Sequence, residues 1–295
     1  MSNGSLSSQN AANTWPLIAR FATAEGRIGR LAARNRGSAF AYEFLRFGCK
    51  QAWACLFGGA LVALLLATHW WYPRGAVLAR YDFLFLSALA LQVAMLWLKL
   101  ETLDEAKVIL IYHFIGTIME IFKTDAGSWL YPEANLLRVG GVPLFSGFMY
   151  AAIGSYIARC WRLFDFRFTQ HPPLPTIAAL SAAIYANFYT HHFIVDLRYA
   201  LFAAAALLFR HTWVHYRIWH THRRMPLLLG LLLVAVFVWI AENLGTATTT
   251  WLYPHQAHVW TVVRMSKLGS WFLLLIVSYS LVAAVNRPRR CLIDH

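Results

Sequence analysis

The length of its apolar runs constrains this chain most. Eight runs, at roughly 51–71, 83–100, 106–123, 143–162, 174–194, 197–216, 225–244 and 264–285, are nearly free of charge. Each is near the roughly 20 residues that an α-helix needs to cross bilayer hydrocarbon. The ten-residue alternating segments of a membrane barrel are absent. Composition closes the argument. Of the 295 residues, 59% are hydrophobic and only 13% charged, against about 25% charged in soluble domains. The expected fold class is all-α, a polytopic membrane protein of about eight transmembrane helices.

Three regions follow. Residues 1–50 combine a Ser/Asn/Gln-rich, disordered start with a basic amphipathic segment at 14–46 that suits an anionic membrane surface. Residues 51–285 form the membrane domain, and 286–295 a short cytoplasmic tail. Net charge is +13, but its placement argues for orientation and not for nucleic acid, which is not an expected partner. Eighteen Lys and Arg fall on the side of the two termini. Seven fall on the other: Arg74, Arg80, Lys123, Arg138, Arg198, Arg264 and Lys267. The positive-inside rule then puts both termini in the cytoplasm. The four cysteines show no CxxC or other metal spacing and read as free thiols.

One motif occurs twice. "EIFKTDAGSWLYPE" occupies 120–133 and "ENLGTATTTWLYPH" occupies 242–255, an offset of 122 residues. Each is a Glu at the end of an apolar run, followed nine residues later by Trp-Leu-Tyr-Pro. Four runs separate the copies, so both lie at the same, extracytoplasmic face. The offset predicts two parallel four-helix halves related by an axis along the membrane normal.

Ionisable residues inside apolar helices are costly and default to function. Candidate catalytic residues are Glu120, Glu242, His191, His192 and Asp196. Candidate substrate contacts are Trp129, Tyr131, Tyr150, Trp251, Tyr253 and Lys267. If the halves are symmetric, the two Glu face each other across a cavity lined by Trp129, Tyr131, Trp251 and Tyr253. Lys123, three residues after Glu120, is expected to pair with it. That pairing would make Glu120 the base, or the stabiliser of a cation, and Glu242 the acid. Read without chemistry, each Glu accepts hydrogen bonds from the loop that follows and pins it. A second histidine group, His211, His215, His220 and His222, reads as an interfacial collar on the cytoplasmic side.

The stretches "MEIFKTDAGSWLYPE", "GVPLFSGFMYAAIGSYIARCWRLFDFRF", "THHFIVDLR" and "AENLGTATTTWLYPHQ" resemble the bacterial family called domain of unknown function 817, the YoaT-like proteins. The resemblance covers roughly residues 83–285. It implies a multi-pass inner-membrane protein and transfers no catalytic role. A second similarity, in pattern only, runs to membrane carotenoid hydratases and cyclases. It rests on Glu120, Gly127, Tyr131 and the Gly-Val-Pro at 141–143.

Three functions fit. The leading one is an intramembrane enzyme acting on an isoprenoid or other lipid by paired-carboxylate acid–base chemistry: hydration, cyclisation or isomerisation. A carboxylic acid held neutral by burial can protonate an alkene, and aromatic faces stabilise the resulting cation. No cofactor is expected for it. The second is a metal-dependent lipid hydrolase, in which His113, His191, His192 and Asp196 hold zinc. The third is a transporter of a small solute or lipid. Oligomeric state is left open.

Overall fold

The computed structural model describes residues 35–73, 75–220 and 222–289. The disordered start, most of the basic amphipathic segment and most of the tail lie outside the described residues. The chain divides into two compact units, Met1–Cys49 and Lys50–His295, and the second carries everything below.

The described helices are α1 (Arg36–Ala54), α2 (Leu56–Trp71), α3 (Arg80–Trp97), α4 (Leu103–Asp125), α5 (Phe145–Leu163), α6 (Leu174–Thr190), α7 (Arg198–Phe209), α8 (Leu227–Ala247) and α9 (Ser266–Asn286). Three of them, α3, α8 and α9, are long and apolar enough to cross a membrane, and a fourth span results if the helices on either side of Cys55 count as one. The chain is a helical membrane protein. The described cysteines, Cys49, Cys55 and Cys160, are free thiols.

Local chemistry explains the ends of α4. Thr102 accepts the Glu105 amide at 3.2 Å and the Glu105 carboxylate accepts the Thr102 amide at 2.8 Å, a reciprocal cap on two orphan donors. At the other end, Gly127 takes φ +67°. The amides of Ala126, Gly127 and Ser128 then return to the carbonyls of Phe122, Thr124 and Lys123, which closes the helix in a Schellman turn.

Helices α4 and α5 pack tightly because glycine lies at the contact. A Cβ on Gly116 would come within 2.8 Å of the Tyr150 side chain. Small residues at such crossings let backbones approach closely, and here Tyr150 is laid across α4 one turn before Glu120. Helix α9 packs on both α5 and α8. Phe57, Met95, Ile109, Phe148 and Ile276 are among the side chains filling the main core. A smaller cluster contains Trp129, Tyr131, Phe145, Tyr253 and Val263.

Two short sheets qualify the all-α expectation. Strands β1 (Arg138–Val139) and β2 (Val142–Pro143) form a tight hairpin. Strands β3 (Arg167–Thr169), β4 (Trp213–Arg217) and β5 (His222–Pro226) form an antiparallel sheet with β4 central, Phe168 opposite Val214 and Val214 opposite Met225. The helix expected over 197–216 therefore stops at Phe209. Trp213, Val214 and Tyr216 are strand formers, and paired edges on both sides draw them out of the helical path. His215 and His222 belong to this sheet. His215 bonds Thr169 at 2.7 Å and His222 lies 3.4 Å from Asp165. The helix expected to run to 194 also ends early, at Thr190. The Asn187 side chain bonds the Leu197 amide and the Asp196 carboxylate and so closes the turn between α6 and α7.

Candidate functional site: a double Glu–aromatic knot

The backbones of the two copies fold alike, amide for amide. At the end of α8 the amides of Thr248, Thr249 and Thr250 return to Leu244, Thr246 and Gly245. Each residue is the 122-residue counterpart of one at the end of α4. Thr249 has φ +52° where Gly127 has +67°. The two Trp-Leu-Tyr-Pro segments then meet. The Leu130 amide donates to the Leu252 carbonyl and the Leu252 amide to the Leu130 carbonyl, both at 2.9 Å, in an antiparallel bridge. A reciprocal pair of this kind has a local twofold at its centre.

Both carboxylates are buried, and each of their oxygens accepts a hydrogen bond. Glu120, 2% exposed, accepts Trp129 Nε1 and the Tyr131 hydroxyl on Oε2, each at 2.6 Å, and the Tyr150 hydroxyl on Oε1 at 2.7 Å. Glu242 accepts the Tyr253 hydroxyl on Oε1 and Trp271 Nε1 on Oε2, the latter at 2.8 Å. Hydrogen bonds to ionised acceptors are the strong ones, and buried polar groups need them. The donors also touch across the twofold. Trp129 meets Tyr253 edge to face at 6.2 Å between centroids, and Tyr150 meets Trp271 at 6.1 Å. Two ring pairs thus bridge the carboxylates, where the sequence suggested a shared cavity. Burial and the adjacent carboxylates push the Tyr131 and Tyr253 phenols well above their ordinary range. Both hydroxyls stay protonated and donate.

Three sequence expectations need correction. Lys123 does not pair with Glu120. Its ammonium lies 2.9 Å from His192 Nε2 and 3.9 Å from the centre of the Phe188 ring. The division into Glu120 base and Glu242 acid, which rested on that pairing, falls with it. Trp251, expected to line a cavity between the two Glu, packs on the helix end instead. Its indole lies on Gly245, where any Cβ would collide with it, and Trp271 takes its place as donor. The histidines and Asp196 do not converge on the carboxylates. His191 Nδ1 lies 3.0 Å from the Asn187 carbonyl, and Asp196 binds Asn187 at 3.0 Å and Arg198 at 2.6 Å. Among the described residues, no group of three or more His, Cys, Asp or Glu is placed to hold a metal ion. His113, His191, His192 and Asp196 therefore do not form the zinc site that the hydrolase reading needs.

Lys267, at the start of α9, does reach the knot. Its ammonium lies 4.6 Å from the Tyr253 ring centre and 5.4 Å from that of Trp129, over the two rings that meet on the twofold. Partial loss of hydration holds the exposed His192 imidazole below its ordinary pKa, with the Lys123 charge adding to the effect. Neutral His192 can accept the Lys123 proton through Nε2.

Sequence reading missed the clamp that orients both loops. Arg80, Tyr81 and Asp82 open α3. Arg80 bonds Glu133 at 2.6 Å, and the Tyr81 hydroxyl donates to the Thr250 carbonyl at 2.8 Å. Asp82 accepts the Leu136 and Leu137 amides at 2.9 and 2.8 Å. A signal was present, since "RYDFLF" at 80–85 returns as "RYALF" at 198–202.

The chain is similar to the Bacillus subtilis (strain 168) protein named Uncharacterized protein YoaT, with 41% identity over 247 residues, covering 84% of this chain and 93% of the relative. Crystal structures of the mycobacterial Insig homolog MvINS from Mycobacterium vanbaalenii, one of them a cross-linked trimer, show 14% identity and a TM-score of 0.45, covering 64% of this chain and 98% of theirs. A family model matches residues 43–279, and the chain belongs to that family, described as protein of unknown function (DUF817).

Proposed function

We propose that this protein is a multi-pass enzyme of the bacterial inner membrane that acts by acid–base chemistry on an isoprenoid or other lipid, with the double knot as its polar centre. Helices α2–α5 and α6–α9 would be the two four-helix halves. Both termini would be cytoplasmic and the knot extracytoplasmic. The observation that carries the reading is the convergence of two buried carboxylates through Trp129, Tyr253, Tyr150 and Trp271, with Lys267 over two of those rings. Ring faces that hold an ammonium also suit a carbocation.

The geometry changes the roles the residues take. All four carboxylate oxygens already have donors, so a substrate meets the phenols first. In a hydration, the carboxylate first takes up a proton; a Tyr150 or Tyr253 hydroxyl then gives its proton to an alkene carbon, and the protonated carboxyl behind it restores that proton. Water adds to the cation, and its surplus proton returns to the carboxylate. The sum is alkene plus water giving alcohol. Positioned acid–base groups of this kind contribute about 10²–10⁴-fold each.

A second reading is favoured by the same hydrogen bonds. Five donors on two carboxylates describe two loop pins and no chemistry. Lipid extracts separate the readings, compared by mass spectrometry between cells lacking the gene and cells restored with wild type, Glu120→Gln or Glu242→Gln at matched protein levels. A lipid change restored by wild type but by neither variant supports the enzyme. Restoration by both variants leaves the carboxylates as pins.

A further inference from the structure

Two lysines stand at the knot, and neither has a carboxylate partner among the described residues. Lys123 is 2% exposed. Its ammonium touches only His192 Nε2 and the faces of Phe188 and Phe122. Lys267 touches only the faces of Tyr253 and Trp129. Phe188 packs against the same small cluster that holds Trp129 and Tyr253. Arg198 repels the charge of both lysines and Lys267 repels that of Lys123, while Glu242 and Glu120 attract that of Lys267 from a distance and Asp196 that of Lys123. Buried lysines are almost always paired, because an uncompensated buried charge costs several kcal/mol. Among the described residues no acid lies within ion-pair distance of either lysine: the oxygens of Glu120 and Glu242 hold ring donors, and Asp196 is held by Arg198 and Asn187. The chain has therefore gathered two lysines and an imidazole with no acid of its own in contact with them. Beside them the turn between α6 and α7 exposes Phe193, Ile194 and Val195 at 77%, 60% and 79%, apolar side chains suited to hydrocarbon.

We infer that Lys123, Lys267 and His192, with Arg198 at the rim, bind the phosphate or diphosphate head of an amphipathic lipid. The proposal deepens the lipid-enzyme reading and rests on it for the position of the substrate. A phosphoryl head fits better than a carboxylate. It presents several acceptor oxygens and more than one negative charge, which answers two separated ammonium groups at once. The aromatic faces flanking both lysines exclude water and strengthen that attraction.

Binding to the purified full-length protein in nanodiscs of neutral lipid provides the test. The probes are farnesyl diphosphate, farnesol and inorganic pyrophosphate, read by equilibrium dialysis. Saturable binding of farnesyl diphosphate is expected, with farnesol at least about tenfold weaker. Lys267→Met and Lys123→Met should each weaken the diphosphate by about tenfold and leave farnesol unchanged, and Lys267→Arg should restore most of the loss. Since Lys123→Met removes a buried side chain, Lys267→Met and its Arg rescue decide the matter if that variant does not fold. Equal binding of farnesol and farnesyl diphosphate, or unchanged diphosphate affinity in Lys267→Met, overturns the proposal. Pyrophosphate binding as tightly as farnesyl diphosphate shows a free-anion site and overturns the lipid source. Failure of the acid–base reading looks different. There diphosphate binding persists and depends on the lysines, while the lipid extracts do not depend on Glu120 or Glu242.

Discussion

The two knots share a backbone and differ in their side chains, and the difference begins at one position. Lys123 in the first corresponds to Gly245 in the second. With no Cβ at 245, the Trp251 indole lies flat on the helix end. With a lysine at 123, the equivalent place is filled, and Trp129 turns its Nε1 to Glu120. Glu120 therefore gathers three donors, two of them from its own loop. Glu242 gathers two, one from its loop and one, Trp271, from α9. The exchange of glycine for lysine goes with a redistribution of the hydrogen bonds of the repeat and adds a buried lysine to one half only.

The largest effect should come from removing the acceptors. Glu120→Leu strands three donors, Glu242→Leu two. Each buried donor left unpaired costs about 1–3 kcal/mol, although partners found in the unfolded, membrane-embedded state reduce such costs. Thermal unfolding in detergent should show Glu120→Leu the less stable by about 1–3 kcal/mol. Equal losses would mean that the third donor, Tyr150, contributes nothing.

Next comes Gly245→Ala. The new methyl would occupy the Trp251 ring, so the indole must leave its seat. Overpacking of this kind costs about 1–3 kcal/mol. A displaced Trp251 should also be seen as a change in tryptophan fluorescence. A variant of wild-type stability and spectrum would show that the indole does not rest on Gly245.

How much of this was legible in the sequence can be argued from the same residues. The repeated Glu and Trp-Leu-Tyr-Pro were visible because their spacing is strict, and they do bring both carboxylates and both aromatic segments to one place. Tyr131, Tyr150 and Tyr253 were each picked out, and each bonds a Glu. Trp271 was not, because it lies on a different helix, and nothing in its neighbourhood marks it as a stand-in for Trp251. The partner of Lys123 was misread because i,i+3 spacing permits a pair with Glu120 but cannot reveal that three ring donors already occupy it. The sheet around β4 was hidden for another reason. Its pairing with β3 joins residues far apart in sequence, as in Arg167 opposite His215, while local hydropathy over 197–216 reads as one apolar run and hides the start of the hairpin with β5.

A smaller effect concerns the half that has the lysine. The folded-state pKa of His192 is held below its ordinary value, so the neutral ring is the one that folding favours. The contribution is complete above the unfolded pKa, about 6.5, and is lost as pH falls through the folded value. Imidazolium cannot accept the Lys123 proton. Stability measured from pH 8 down to pH 5 should fall more in wild type than in His192→Phe. The imidazole is exposed, which keeps the difference small. Identical pH profiles would show that the Lys123–His192 bond does not contribute.

The smallest change tests the backbone itself. Gly127 and Thr249 occupy the same left-handed position after their helices, at φ +67° and +52°. Glycine is at ease there, whereas a β-branched residue is strained by about 1–2 kcal/mol. Thr249 recovers part of that through its hydroxyl, which donates to the Thr248 carbonyl at 2.8 Å. Thr249→Gly releases the strain and gives up that bond, worth about 0.5–1.5 kcal/mol net, and it adds freedom to the unfolded chain. The sum should be a gain of less than about 1 kcal/mol. Gly127→Thr imposes the strain on the first knot and should lose about 1–2 kcal/mol. Opposite signs in one thermal-unfolding experiment would establish that the two helix ends share a backbone and differ only in how each residue tolerates it. A loss in both would mean that the Thr249 hydroxyl matters more than its backbone strain, and that the second knot depends on its threonines where the first depends on glycine.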